Sequence, residues 1–129
     1  MLGELLLCFQ CAILFLTGTR STERTYVKLL QELVDIYVTP ASALATGIGG
    51  VSTKETIVPA VERKIVFGGL ESLLLLHKES FLPSLEIAYR PLDSVDDVDG
   101  SISTRVAIQV AQVFVSHAAF MKMYSTYVK

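Results

Sequence analysis

The chain is 129 residues long, enough for one domain with a core and too short for two ordinary ones. Apolar residues make up 51% of it and charged residues 19%, which excludes an intrinsically disordered chain. A net charge of -2 leaves no broad cationic field to neutralise nucleic acid, and two cysteines cannot staple a fold.

The first segment, LLLCFQCAILFL from Leu5 to Leu16, is almost wholly apolar, yet at roughly a dozen residues it is shorter than the about 20 that a bilayer span needs. It has the length of a signal-peptide core, but Glu4 stands where a base is expected, and Thr17-Gly18-Thr19-Arg20 makes a mediocre cleavage site. An apolar helix packed on the domain is the alternative. Cys8 and Cys11 have redox-motif spacing without the strand context or the charge that lowers a thiol pKa, so they read as structural.

Beyond Arg20 an amphipathic helix is predicted, with Ser21 or Thr22 as N-cap and Glu23 in the first turn. Tyr26, Leu29, Leu30, Leu33, Val34 and Tyr37 form its apolar stripe, and Thr39-Pro40 ends it. Ala41 to Gly50 reads as a flexible loop; its glycines lack the GK[ST] of a phosphate-binding loop. Ser52 with Glu55 suggests a capping box and a short helix, broken by Pro59 and running towards Phe67.

After Gly68-Gly69 a long helix carries Leu70, Leu73, Leu74, His77, Phe81, Leu85 and Ala88 on one stripe, and Pro83 should kink it. Pro91 to Ser101 is an acidic loop in which Val95 and Val106 occupy the first and twelfth positions of a calcium-loop register, where ligating carboxylates would be needed. A last helix from about Ser103 carries Val106, Val110, Val113, Phe114, His117, Met121, Tyr124 and Val128. His77 and His117 both fall on apolar stripes with no acid or cysteine one turn away, which favours core histidines over metal ligands. No nucleophile motif is present, and neither a metal nor another cofactor is expected. These residues describe an all-α domain whose function is binding.

Three segments in order resemble the amino-terminal part of a Dbl-homology domain, the exchange module of Rho-family guanine nucleotide exchange factors, and look most similar to fungal members. The first is Thr22-Glu23-Arg24-Thr25-Tyr26-Val27 with its following leucines. The second runs from Ser52 to Leu85 with Glu55, Ile65, Phe67, His77, Phe81 and Leu82. The third is Val113-Phe114-Val115 with Phe120, Tyr124 and Tyr127. The resemblance implies an elongated helical bundle with residues 1–20 as a separate apolar segment and residues 21–129 as an incomplete domain, because the chain reaches Lys129 before the family's third conserved region. It implies a Rho-family small GTPase as partner, with no nucleic acid and no direct small-molecule substrate, and a cytoplasmic, peripheral location in small GTPase signalling. Glu23 matches the acid that contacts switch I. Tyr26, Leu29, Leu33, His77, Phe81, Leu85, Phe114 and Tyr124 are expected in the core. Without the rest of the bundle, the apolar stripes are expected to drive self-association and to leave little exchange activity.

Overall fold

The computed structural model describes the backbone of residues 2–46, 52–94 and 96–127 and the side chains of residues 3–4, 14–44, 56–94 and 96–125. The thiols of Cys8 and Cys11, glycines 47, 49 and 50, the side chain of Glu55, Val95, the side chain of Tyr127 and Val128 lie outside the described residues.

The fold is an all-α bundle with one short two-stranded ribbon. Helix α1 spans Leu2–Leu33 without a break. The expected start at Ser21 or Thr22 is therefore corrected, and the physical reason is tertiary. Leu16 is buried under the helices that follow, the Tyr89 hydroxyl donates to its carbonyl, and Arg20 lies over the Tyr89 ring while pairing with Asp93 at 2.7 Å. The hydroxyls that favour caps are absorbed inside the helix: Thr19 donates to the Phe15 carbonyl and Thr25 to that of Ser21. No helix among the described residues is long and apolar enough to cross a membrane.

Nor does Thr39-Pro40 end the helix. A π-helical turn at Val34–Val38 leads into α2, Thr39–Ala41. There Thr39 N–H bonds the Val34 carbonyl, and the widened turn accommodates the ring and missing donor of Pro40. The chain then forms strand β1, Leu44–Thr46, antiparallel to β2, Ser52–Thr56, in the register Leu44↔Thr56 and Thr46↔Ser52. The loop and capping-box expectations are both corrected here. The β-branched run Thr53, Thr56, Ile57, Val58 suits an extended chain better than a helix, and Pro59 begins the next helix instead of breaking one: α3, Ala60–Phe67.

Helix α4, Leu70–Leu76, a π-helical turn at His77–Phe81 and α5, Leu82–Ser94, follow one another directly. Pro91 lies within α5, so the helix extends past the point where an acidic loop was expected to begin. Asp97 and Asp99 cap the next helix, α6, Ser101–His117, rather than a metal: Asp97 accepts from the Ile102 and Ser103 amides, and Asp99 from the Ser101 amide. The expected single last helix is divided, with a 3-10 turn at Phe120–Lys122 before α7, Met123–Tyr127.

Two apolar clusters hold the bundle. Leu16, Phe81, Leu85, Ala88, Tyr89, Val106 and Val110 form one, between α1, α5 and α6. Val27, Leu30, Val34, Val38, Leu70, Leu73 and Leu74 form the other, between α1 and α4. The stripe that α1 and the π turn after it bury is thus Leu16, Glu23, Val27, Leu30 and Val34, with half-buried Arg20 between the first two. This alternating spacing of four and three is that of a helix packed lengthwise on its neighbours.

Candidate functional site

Glu23 occupies the buried stripe of α1 where the two apolar clusters meet, and it is only 9% exposed. A carboxylate there requires a partner. The first residue of the second π turn supplies it: His77 Nδ1 lies 2.5 Å from Glu23 Oε1. An ionised carboxylate offers only lone pairs, so Nδ1–H is the donor. The other ring nitrogen, Nε2, lies 2.6 Å from the Tyr124 hydroxyl, which lies 2.6 Å from the Tyr26 hydroxyl. Burial, and after it the bond to Tyr26, pushes the Tyr124 hydroxyl up from its ordinary value, so it keeps its proton at neutral pH. The His77 ring is fixed edge-on by Tyr26 at 4.8 Å and Phe81 at 5.6 Å between centroids. Four side chains from α1, the π turn and α7 thus form one polar chain inside an apolar bundle.

One side of this chain is open. Glu23, His77 and Phe81 form the floor of a cavity of about 500 Å³, whose rim includes the exposed rings of Phe15 and Phe114. Among the described residues Glu23 Oε2 has no hydrogen-bond partner, and no fully buried side-chain oxygen is left unsatisfied, so Oε2 keeps some exposure in a residue that lines the cavity. The arrangement places one carboxylate in the lining of a largely apolar groove, a geometry that can accept a hydrogen bond from a partner.

The second histidine is engaged internally. His77 and His117 both pack against Phe81, and His117 Nδ1 donates to the Val113 carbonyl at 2.8 Å while Nε2 accepts from Ser80 Oγ at 2.8 Å. No group of three His, Cys, Asp or Glu side chains among the described residues is placed to hold a metal.

Of the residues expected in the core, His77, Phe81 and Leu85 are buried and Tyr26 and Tyr124 are half-buried. Three lie elsewhere. Leu29 and Leu33 are 52% and 42% exposed, because α1 is apolar on two sides and its neighbours cover only the side of Val27, Leu30 and Val34. Phe114 is 46% exposed, with one edge against Phe81 and the other at the groove.

Sequence reasoning missed the Glu23–His77 pair, since 54 positions separate the two residues and no motif joins them. Its only trace was the polarity of each residue on an otherwise apolar stripe. It missed equally the two ion pairs that fasten α1 to α5. Arg24 holds Glu86 with both carboxylate oxygens, and Arg20 holds Asp93; each carboxyl sits below its ordinary value, first through the hydrogen bond from its arginine.

The model of one protein family, described as the RhoGEF domain, matches residues 20–129. No curated protein and no solved structure matches the chain.

Proposed function

The chain belongs to the RhoGEF domain family, and from that membership we propose that it engages a Rho-family GTPase through the groove above Glu23 and promotes guanine nucleotide exchange there. Glu23 is the carboxylate that meets switch I, with Oε2 accepting from a hydroxyl or backbone amide of the GTPase. The observation that carries this reading is that Glu23 lines the groove with only one of its two carboxylate oxygens bonded among the described residues. Catalysis of this kind forms no covalent bond. The module binds the nucleotide-free conformation of the GTPase more tightly than the GDP-bound one, and that difference lowers the barrier to release. Residues 21–129 are the proposed functional unit, and its proposed place of action is the cytoplasm.

Release of a fluorescent GDP analogue from a panel of Rho-family GTPases tests the reading. Even with the small activity expected of an incomplete bundle, the wild-type chain should measurably accelerate release from at least one member, and Glu23→Gln, which keeps the shape but replaces charge by a neutral amide, should lower that acceleration by about tenfold. Equal acceleration by both proteins would remove Glu23 from the contact. A second reading, a non-catalytic interaction module, is favoured by the exposed apolar residues Leu29, Leu33, Ile36 and Tyr37 on one side of α1 and the turn after it. Capture of the nucleotide-free GTPase without faster release would select it.

A further inference from the structure

We propose that His77 is a positioning residue for the GTPase contact, holding the Glu23 carboxylate so that Oε2 alone meets the partner; this rests on the reading of Glu23 given above.

The geometry separates the two halves of the ring. Nδ1 faces Glu23 at 2.5 Å, and Nε2 faces Tyr124 at 2.6 Å. A glutamate side chain has three rotatable bonds, and nothing on α1 itself fixes the carboxylate: the neighbours one turn away, Thr19 and Val27, offer it no described bond. The restraint comes from a ring that is itself locked, buried at 4% exposure, edge-on to Tyr26 and Phe81 and bonded at both nitrogens. With Oε1 committed to Nδ1–H, the second oxygen is left for a donor arriving in the groove that Glu23 lines, and the carboxylate needs no reordering. A pre-oriented acceptor of this kind spares the ordering cost that a free side chain would incur on binding. It also keeps both oxygens from turning inward, which would leave the groove without an acceptor. Both ring nitrogens of His77 are bonded within the chain, so its polar role in the contact is exerted through Glu23.

Two near-isosteric substitutions divide the ring. His77→Asn keeps an N–H donor near the Nδ1 position and loses the contact to Tyr124, whereas His77→Gln keeps an amide oxygen near Nε2 that can accept from Tyr124 and loses the contact to Glu23. Both lose the ring contacts with Tyr26 and Phe81, so a purely structural role would weaken the two alike. The readouts are the melting temperature of each full-length variant, the affinity for a nucleotide-free Rho-family GTPase, and GDP-analogue release from that GTPase. The expected result is similar melting temperatures, an affinity for His77→Asn within about threefold of wild type, and a loss of about tenfold for His77→Gln, matching Glu23→Gln. Equal losses in Asn and Gln variants, with Glu23→Gln still impaired, would overturn the positioning role and leave the Glu23 contact standing. A Glu23→Gln protein that binds as wild type does would overturn the contact itself, and the positioning role with it. Failure of the wild-type chain to capture any member of the panel has that same consequence.

Discussion

Glu23 and His77 form a buried acid–base pair between two apolar clusters, and its energetics are governed by what remains when one partner goes. Replacing His77 by leucine would leave the Glu23 carboxylate facing apolar side chains on its inner side. Removing one member of a buried pair costs about 3 kcal/mol or more, well beyond the net worth of the pair. We expect His77→Leu to lower the melting temperature by 10 °C or so, taking about 4–8 °C per kcal/mol for a small domain and allowing relief where Oε2 reaches solvent. The double variant Glu23→Gln/His77→Leu should recover part of that loss, and a melting temperature no higher than that of the single variant would count against a buried charge as the cause. The polar chain beyond His77 costs little to keep, because each hydroxyl and ring nitrogen in it has its partner.

At the scale of the element, each π turn stands two residues before a proline: Val34–Val38 before Pro40, and His77–Phe81 before Pro83. In a regular α-helix the two rings would collide with the carbonyls of Ile36 and Glu79. Bonds spanning five residues, Thr39 to Val34 and Leu82 to His77, open the turn and take up the misfit. The second opening sets the position of His77 opposite Glu23, so a proline that the sequence marks as a kink also serves the site. The start of α6 depends on a different device. Gly100 holds φ at 80°, which turns the chain so that Asp97 can reach the Ile102 and Ser103 amides. A side chain strains this left-handed conformation, and Gly100→Ala should cost roughly 1–2 kcal/mol, read as a lower midpoint in urea with an unchanged slope.

Across the described residues, four carboxyls lie below their ordinary values: Glu86 and Asp93 through their arginines, and Asp97 and Asp99 through hydrogen bonds at the start of α6. A depressed carboxyl contributes stability that is complete above its unfolded pKa and is lost as pH falls through the folded one. The melting temperature should therefore be flat from neutrality down to about pH 5 and fall below about pH 4, with a shallower fall in Asp97→Asn. A melting temperature that rose on acidification would contradict these contacts. Leu29, Leu33, Ile36 and Tyr37 leave a run of exposed apolar surface, and we expect concentration-dependent association in sedimentation that Leu29→Glu/Leu33→Glu removes while the melting temperature holds.

The sequence by itself determined the helical class, the stripe from Leu70 to Ala88, and the segments that mark the family, because periodic burial and motif spacing are local properties of the chain. Helix limits were less legible. The cap signal at Ser21 and the break signal at Thr39-Pro40 are real preferences of about a kcal/mol or a few, and the packing of Leu16 and Val38 outweighed them. The faces of α1 were illegible for a related reason: a helix apolar on two sides does not say which side its neighbours will cover. Only the tertiary structure placed His77 against Glu23 and Tyr124 against His77, since hydrogen bonds between residues 54 and 47 positions apart leave no periodic trace in the sequence and exist only once the helices have met.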